Sequence, residues 1–287
     1  MPHRTIESCI SEAADLLKHA GIEAPRGEAR LLLAHVLGTD AGRLIVEPER
    51  PVPSAGEFMD LVRQRARRIP MAQILGRREF WGLDFRVTRD TLDPRPDSET
   101  LVETALAVLR GSTADAPYIL DLGTGTGCLL LSVLSEVPEA RGLGVDISCA
   151  ALSVARENAD ALGLAHRAGF IAADWGCGLN AAFDLVLANP PYVRRCEIAE
   201  LQPEVSLFEP RQALDGGADG LACYRQLGQS LCDVLTADGT AVLEIGAGQA
   251  GDVVEILGAA GLRHTETARD LAGHERCVVF QRALPSC

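Results

Sequence analysis

What this 287-residue chain has too little of is basic charge: 27 lysines and arginines face 40 aspartates and glutamates, for a formal net charge of −13. Broad, sequence-independent binding to nucleic acid requires a cationic footprint, so the balance argues against it and leaves room only for a local basic patch. The nine cysteines include no Cys-x-x-Cys pair and no Cys/His cluster at zinc spacing, so neither a metal site nor a disulfide scaffold is expected. They read as free, mostly buried thiols of a reducing compartment. No apolar run is long enough to span a membrane, and Met1-Pro2-His3-Arg4 opens no apolar signal region. These absences imply a cytoplasmic protein without membrane contact. Repeats and low-complexity segments are missing as well.

What is present is apolar. Hydrophobic residues make up 47% of the chain, enough for a catalytic domain of ordinary size and a smaller one. Within residues 1–70 they recur at helical spacing. Ile6, Ile10, Ala13 and Leu17 share one face, with Gly21 as a stop. Pro25 opens a second helix that carries Ala29, Leu32, Leu33 and Val36 and ends at Gly38. A third, from about Ser54 to Arg68, turns Phe58, Leu61 and Val62 inward, and Arg63, Arg65, Arg67 and Arg68 near its end are expected to complement its dipole, with contact to an acidic partner as the sharper alternative. Residues 71–91, with aromatic and branched side chains around Gly76 and Gly82, predict a β-hairpin joining this helical bundle to the larger domain. Asp93-Pro94-Arg95-Pro96-Asp97-Ser98-Glu99 is then a stiff stretch in which Ser98 or Asp97 caps a helix, with Leu101, Val102, Ala105, Val108 and Leu109 facing the core. From Tyr118 onward strands and helices alternate, with strands at 118–122, 142–145, 169–172, 183–188, 240–245, 264–268 and 277–282. Residues 92–287 are therefore expected to form an α/β domain, a mostly parallel Rossmann-like sheet with helices on both faces.

The chemistry concentrates at strand ends. Asn189-Pro190-Pro191-Tyr192 comes directly after the apolar run 183–188, where open α/β sheets place their ligands. Two prolines leave no N–H to donate and fix φ, so the Asn189 side chain and the Pro190 carbonyl make a rigid pair of acceptors, suited to a planar –NH2 with two donors. An isolated Pro-Pro pair would be a plain turn. Upstream, however, Gly123-Thr124-Gly125-Thr126-Gly127 comes after a strand and forms a backbone cradle for a nucleotide-like ligand. Asp146, with Ile147 beside it, ends the next strand, where a carboxylate can accept from both ribose hydroxyls. The same geometry serves NAD. Two details favour S-adenosylmethionine: Cys128 occupies the place of the third glycine or alanine of a dinucleotide fingerprint, and Asp121, before the loop, would repel a pyrophosphate but attract a cationic amino group. Asp174 can accept from the adenine amino group, with Trp175 or Cys177 as apolar neighbours. Each acid alone could be a cap or a solvated loop residue; four features in register at consecutive strand ends point to a cofactor site. A methyl donor beside an –NH2 clamp implies methylation of an amide or amine nitrogen. Asn189 Oδ1 and the Pro190 carbonyl would raise electron density on a nitrogen whose lone pair is otherwise delocalised, positioning supplies the other large contribution, and Tyr192 could pack on the flat acceptor.

From Gln73 to its end the chain closely resembles the HemK/PrmC family, the S-adenosylmethionine-dependent methyltransferases that modify the glutamine of the Gly-Gly-Gln motif in peptide chain release factors. The matching stretches are Ile74-Leu75-Gly76 with Phe80, Pro94-Arg95-Pro96-Asp97-Ser98-Glu99, Leu120 to Gly127, Val145-Asp146-Ile147-Ser148, Asn189-Pro190-Pro191-Tyr192, Glu209-Pro210 with Ala213 to Gly220, Leu243-Glu244-Ile245-Gly246 and Asp270-Leu271-Ala272-Gly273. The resemblance implies N5-methylation of that glutamine, with release factors as partners and the helical region helping to bind them. Catalysis would fall to Asn189, Pro190, Pro191 and Tyr192. Cofactor binding would fall to Asp121, Gly123, Thr124, Gly125, Gly127, Asp146, Ile147, Asp174, Trp175, Asn189 and Arg95, acting in a monomer. Two departures stand out: Asp93 replaces the family's usual aliphatic residue and Ser98 its usual threonine. The competing readings are adenine-N6 methylation of DNA or RNA, glutamine methylation of a ribosomal protein, and a redox enzyme using NAD or a flavin.

Overall fold

The computed structural model describes residues 4–283; Met1-Pro2-His3 and residues 284–287, the outer ends of the two expected domains, lie outside the described residues. The chain forms two units, Met1–Gly76 with Gln202–Phe208, and Arg77–Leu201 with Glu209–Cys287.

In the first unit, helices α1 (Ile6–His19), α2 (Pro25–Leu37), α3 (Arg43–Val46), α4 (Ala55–Ala66) and α5 (Met71–Leu75) enclose a core that includes Ile10, Leu17, Leu32, Leu33, Phe58 and Val62. Thr5 and Ser8 satisfy each other's backbone N–H groups in a capping box at the start of α1. Gly38 ends α2 in a left-handed conformation. Two expectations fail here. Arg65 and Arg68 do not simply complement a helix dipole: Arg65 is buried, 6% exposed, and donates to Glu28 at 2.5 Å and to Glu204 at 2.7 Å, while Arg68 meets Glu204 at 2.6 Å. A guanidinium tolerates burial when carboxylates compensate its charge on two sides. Gln73-Ile74-Leu75 is helical, not part of a strand, because the Pro70 carbonyl accepts from both Gln73 and Ile74 and Ile74 and Leu75 pack on the helical core.

The hairpin is accordingly shorter than expected, β1 (Arg77–Phe80) against β2 (Leu83–Arg86). Its two-residue turn places Trp81 and Gly82 at positive φ, 54° and 69°. A 3-10 turn at Pro96–Ser98 leads into α6 (Glu99–Arg110). Ser98 precedes that helix without capping it: its own backbone is helical and its side chain makes no cap bond, while the Asp97 carboxylate pairs with Arg276 at 2.9 Å. Then come β3 (Tyr118–Leu122), α7 (Cys128–Glu136), β4 (Arg141–Asp146), α8 (Cys149–Ala161), β5 (Ala168–Ala172), β6 (Phe183–Ala188), α9 (Pro203–Phe208, in the first unit), α10 (Ala222–Val234), β7 (Leu235–Glu244), α11 (Ala250–Ala259), β8 (Leu262–Arg269) and β9 (Glu275–Arg282).

Among the described residues, seven of these strands form one sheet in the order β5-β4-β3-β6-β7-β9-β8. β3 to β7 pair in parallel, and β9 pairs antiparallel with both β7 and β8. Side chains alternate between two apolar layers, as the pleat requires. Ile119, Leu185, Leu187 and Val242 join residues of α6, α7 and α8 on one face; Leu120, Val186, Ala188, Leu243 and residues of α10 and α11 fill the other. Strand order reverses between β3 and β6, which opens a crevice at their carboxyl ends. The eight described cysteines are free but less buried than expected: Cys9, Cys223 and Cys277 are buried, whereas Cys149, Cys177 and Cys196 are exposed. No described helix is long and apolar enough to cross a membrane.

Candidate cofactor and amide site

The loop after β3 needs its glycines. Gly123, Gly125 and Gly127 all have positive φ, 76°, 55° and 80°, where a β-carbon is strained. Hydrogen bonds from the Gly123 and Thr124 N–H groups to the Val145 carbonyl, at 2.8 and 2.9 Å, tie this loop to the end of β4. Asp146 continues the tie. Its Oδ2 accepts from Gly125 N at 2.9 Å and its Oδ1 from Ser148 N at 2.8 Å, so each oxygen has spent one acceptor position and keeps another.

A cavity of about 400 Å³ lies over these strand ends. Gly123, Gly125, Asp146, Ile147, Asp174, Trp175, Asn189 and Pro191, all expected from sequence, are among the residues that line it. Trp175 adopts a left-handed φ of 51°, a conformation unusual for a bulky residue. Its indole lies against Gly123 and donates to Gln226 Oε1 at 3.0 Å. Asn189 is held from behind, its Nδ2 donating to Ser98 Oγ at 3.2 Å. With the –NH2 end engaged there, Oδ1 is the end left to accept. Tyr192, largely buried, donates through its hydroxyl to Glu244 Oε1 at 3.3 Å, and burial pushes its phenol pKa up. Its carbonyl accepts from Gln249 Nε2 at 3.1 Å.

Other expected residues stand behind the wall. Asp121 is completely buried; Thr124 Oγ1 donates to its Oδ2 at 2.6 Å, and its Oδ1 has no hydrogen-bond partner among the described residues. Burial pushes this carboxyl up to about 7. Arg95 is turned to Glu209, donating from Nη2 to both carboxylate oxygens at 2.7 and 2.8 Å. Burial pushes Glu209 up to about 7 despite that partner, and Asp93 adds to the rise. Asp93 is itself buried, with Arg78 Nε at 3.7 Å, and burial raises its pKa too. Thr124 and Gly127 shape the loop from within; Gly127 packs so closely that an added β-carbon would lie 3.3 Å from that of Ala155.

Sequence reasoning missed the other wall: Asp90, Thr91, Leu92, Pro210, Gln212, Cys223 and Gln226. Of these, Pro210 carries a signal only through the family resemblance of Glu209-Pro210. The remaining residues carry none, because nothing local marks a loop residue, or a residue of α10 such as Cys223 or Gln226, that will face a distant strand end.

These positions fit S-adenosylmethionine. The free acceptor positions of Asp146 suit vicinal hydroxyls, the glycines leave the backbone bare, and Asp121 offers a buried carboxylate oxygen without a partner among the described residues. Comparison with known proteins agrees. Residues 8–76 match the PrmC N-terminal domain and residues 115–244 match a methyltransferase domain. The release factor glutamine methyltransferase of Rhodospirillum rubrum is 47% identical over 275 residues, covering 95% of this chain and 84% of that protein. Its counterpart from Caulobacter vibrioides is 41% identical over 278 residues, covering 96% of each. A methyltransferase structure from Pyrococcus furiosus superposes with a TM-score of 0.52 at 14% identity, over 71% of this chain and 90% of that one; at that identity the likeness speaks for the fold alone.

Proposed function

The chain belongs to the release factor glutamine methyltransferases, and on that premise we propose that it methylates the side-chain amide nitrogen, N5, of the glutamine in the Gly-Gly-Gln motif of peptide chain release factors. One observation carries the reading. Asn189, its –NH2 engaged by Ser98, shares a cavity with Asp146 and the glycine loop.

S-adenosylmethionine supplies an electrophilic methyl group when bound. Asp146 would hold its ribose, Asp174 its adenine amino group with Trp175 alongside, and Asp121 its cationic amino group, across the backbone of Gly123 and Gly125. Asn189 Oδ1 and the Pro190 carbonyl accept the two N–H bonds of the glutamine amide. They thereby orient its nitrogen and increase electron density there as the new bond forms. No strong base is needed, because the methylated amide is strongly acidic and readily sheds its extra proton. Trp175 and Pro191 line the cavity in which that amide would sit.

The acidic chain offers little for the alternative of a base flipped from a duplex, which would require a basic channel. We also place the enzyme in the cytoplasm and expect it to act as a monomer. Labelled S-adenosylmethionine, offered separately with release factor, ribosomal proteins and oligonucleotides, tests the reading: label should enter the release factor at the Gly-Gly-Gln glutamine. Label confined to nucleic acid or to a ribosomal protein would contradict it.

A further inference from the structure

The cavity wall that sequence did not reveal contains a residue to which the reaction above gives no task. Gln226 lies on α10 between Cys223 and Ser230, at the spacings of three and four residues that place side chains on one helix face. That face meets the turn after β5. The Cys177 N–H donates to the Asp174 carbonyl at 3.1 Å to close the turn, and Gly176 sits so near the helix that an added β-carbon would lie 2.9 Å from Ser230 Oγ. Asp174, Trp175, Cys223 and Gln226 are thereby gathered on the wall of the cavity.

The contact between Trp175 and Gln226 decides which way the glutamine faces. An indole N–H only donates, so the Gln226 atom that it meets at 3.0 Å must be Oε1. Reversing the carboxamide would set donor against donor. Its –NH2 is therefore the end left to serve the cavity that Gln226 lines. The indole is braced on its far side, where the six-membered ring lies against Gly123.

Two polar groups thus flank Trp175, one next to it in the chain and one across its hydrogen bond. Asp174 offers a carboxylate, which accepts, and Gln226 an oriented –NH2, which donates. Adenine displays the complement, because its exocyclic amino group donates and the ring nitrogens to either side of it, N1 and N7, accept.

Building on the reading of this cavity as the S-adenosylmethionine site, we propose that Gln226 is a further cofactor-binding residue that reads adenine: its Oε1 holds the Trp175 indole, and its Nε2 donates to the ring nitrogen beside the amino group from which Asp174 accepts. One side chain then does two things that substitution can separate. Alanine removes both the acceptor for the indole and the donor for the base. Glutamate keeps an acceptor for the indole but loses the donor and turns lone pairs toward the ring nitrogen.

The test measures the affinity of wild type, Gln226→Ala and Gln226→Glu for S-adenosylhomocysteine by calorimetric titration, without release factor, and repeats it with the 1-deaza and 7-deaza analogues. Gln226 is exposed, so both variants should fold, which their unfolding midpoints check. Each should bind S-adenosylhomocysteine at least about two- to tenfold more weakly, the range of one neutral hydrogen bond. One deaza analogue should bind the wild type more weakly by a similar factor and lose nothing further in Gln226→Ala, as a double-mutant cycle requires of a shared contact. The indole provides a second readout. Trp175 is one of two tryptophans, and its 15N-labelled indole proton, assigned by Trp81→Phe, should exchange faster in Gln226→Ala and at about the wild-type rate in Gln226→Glu. Wild-type affinity in Gln226→Glu would overturn the proposal, since holding the indole would then suffice; so would additive losses for both deaza analogues, or an indole proton that exchanges equally fast with and without the glutamine. If a variant fails to fold, the wild type decides, and equal affinity for S-adenosylhomocysteine and both deaza analogues overturns the proposal. A wild type that binds S-adenosylhomocysteine but leaves release factor unmethylated sinks the function proposed above and not this binding role.

Discussion

Asp146 and Asp121 end or nearly end adjacent strands, yet burial gives them different tasks. Asp146 is only partly buried and keeps acceptor positions open beside the cavity. Replacing it by alanine should weaken cofactor binding at least about tenfold, since hydrogen bonds to a charged acceptor contribute roughly 1.5–3 kcal/mol each. Calorimetric titration checks this. Asn189→Ala should do the reverse, lowering kcat by about 10²–10³ with cofactor affinity nearly intact, as for loss of a transition-state hydrogen bond. Losses of equal size in both quantities would show that Asn189 serves the cofactor instead. Asp121 is shifted from 3.8 to about 7 by burial. Between those values the folded cofactor-free protein holds a proton that the unfolded chain has lost, so this residue makes stability fall as pH rises through that window. Asp121→Asn should remove that part of the slope, so that variant and wild type diverge in melting temperature as pH rises. Parallel pH profiles would contradict it.

The elements most legible in sequence are those with local punctuation. Strands β3 and β6 are apolar runs cut off by the glycine loop and by Asn189-Pro190, and α2 is bracketed by Pro25 and Gly38, so their limits are readable from neighbouring residues. The five-residue α5 reads wrongly as strand because a short apolar run carries too little periodicity to separate the two. Ser98 looks like a cap because serine is favoured just before the first turn of a helix; its bond to Asn189, 91 residues away, cannot be seen locally. The glycine loop offers a prediction at this scale. At Gly127 φ is +80°, and a β-carbon would lie 3.2 Å from Leu131 and 3.3 Å from Ala155. Gly127→Ala should therefore cost more than about 1 kcal/mol in denaturant unfolding, with loss of cofactor affinity. An unchanged midpoint would show that the loop relaxes freely.

For the molecule as a whole, net charge argues against one broad class of partner but says nothing of how the helical unit is built. That unit retains α9, a segment between two stretches of the other unit, through Glu204 and its arginines. Arg68 and Glu204 are 136 residues apart, which is why four arginines near the end of α4 look like simple dipole partners in sequence. Removing one member of a buried ion cluster strands the others, at about 3–5 kcal/mol. Glu204→Ala should thus lower the unfolding midpoint of the helical unit markedly, whereas Glu47→Ala, which removes an exposed pair with Arg50, should change it little. Similar shifts for both would deny the cluster its role. The central claim, methylation of one glutamine amide, is tested most directly by incubating the protein with S-adenosylmethionine and full-length release factor and locating the modification by tandem mass spectrometry. A single methyl group on N5 of the Gly-Gly-Gln glutamine, absent with Asn189→Ala, is the expected result; a release factor left unmodified by active, cofactor-binding protein, or methylated at another residue, would contradict it.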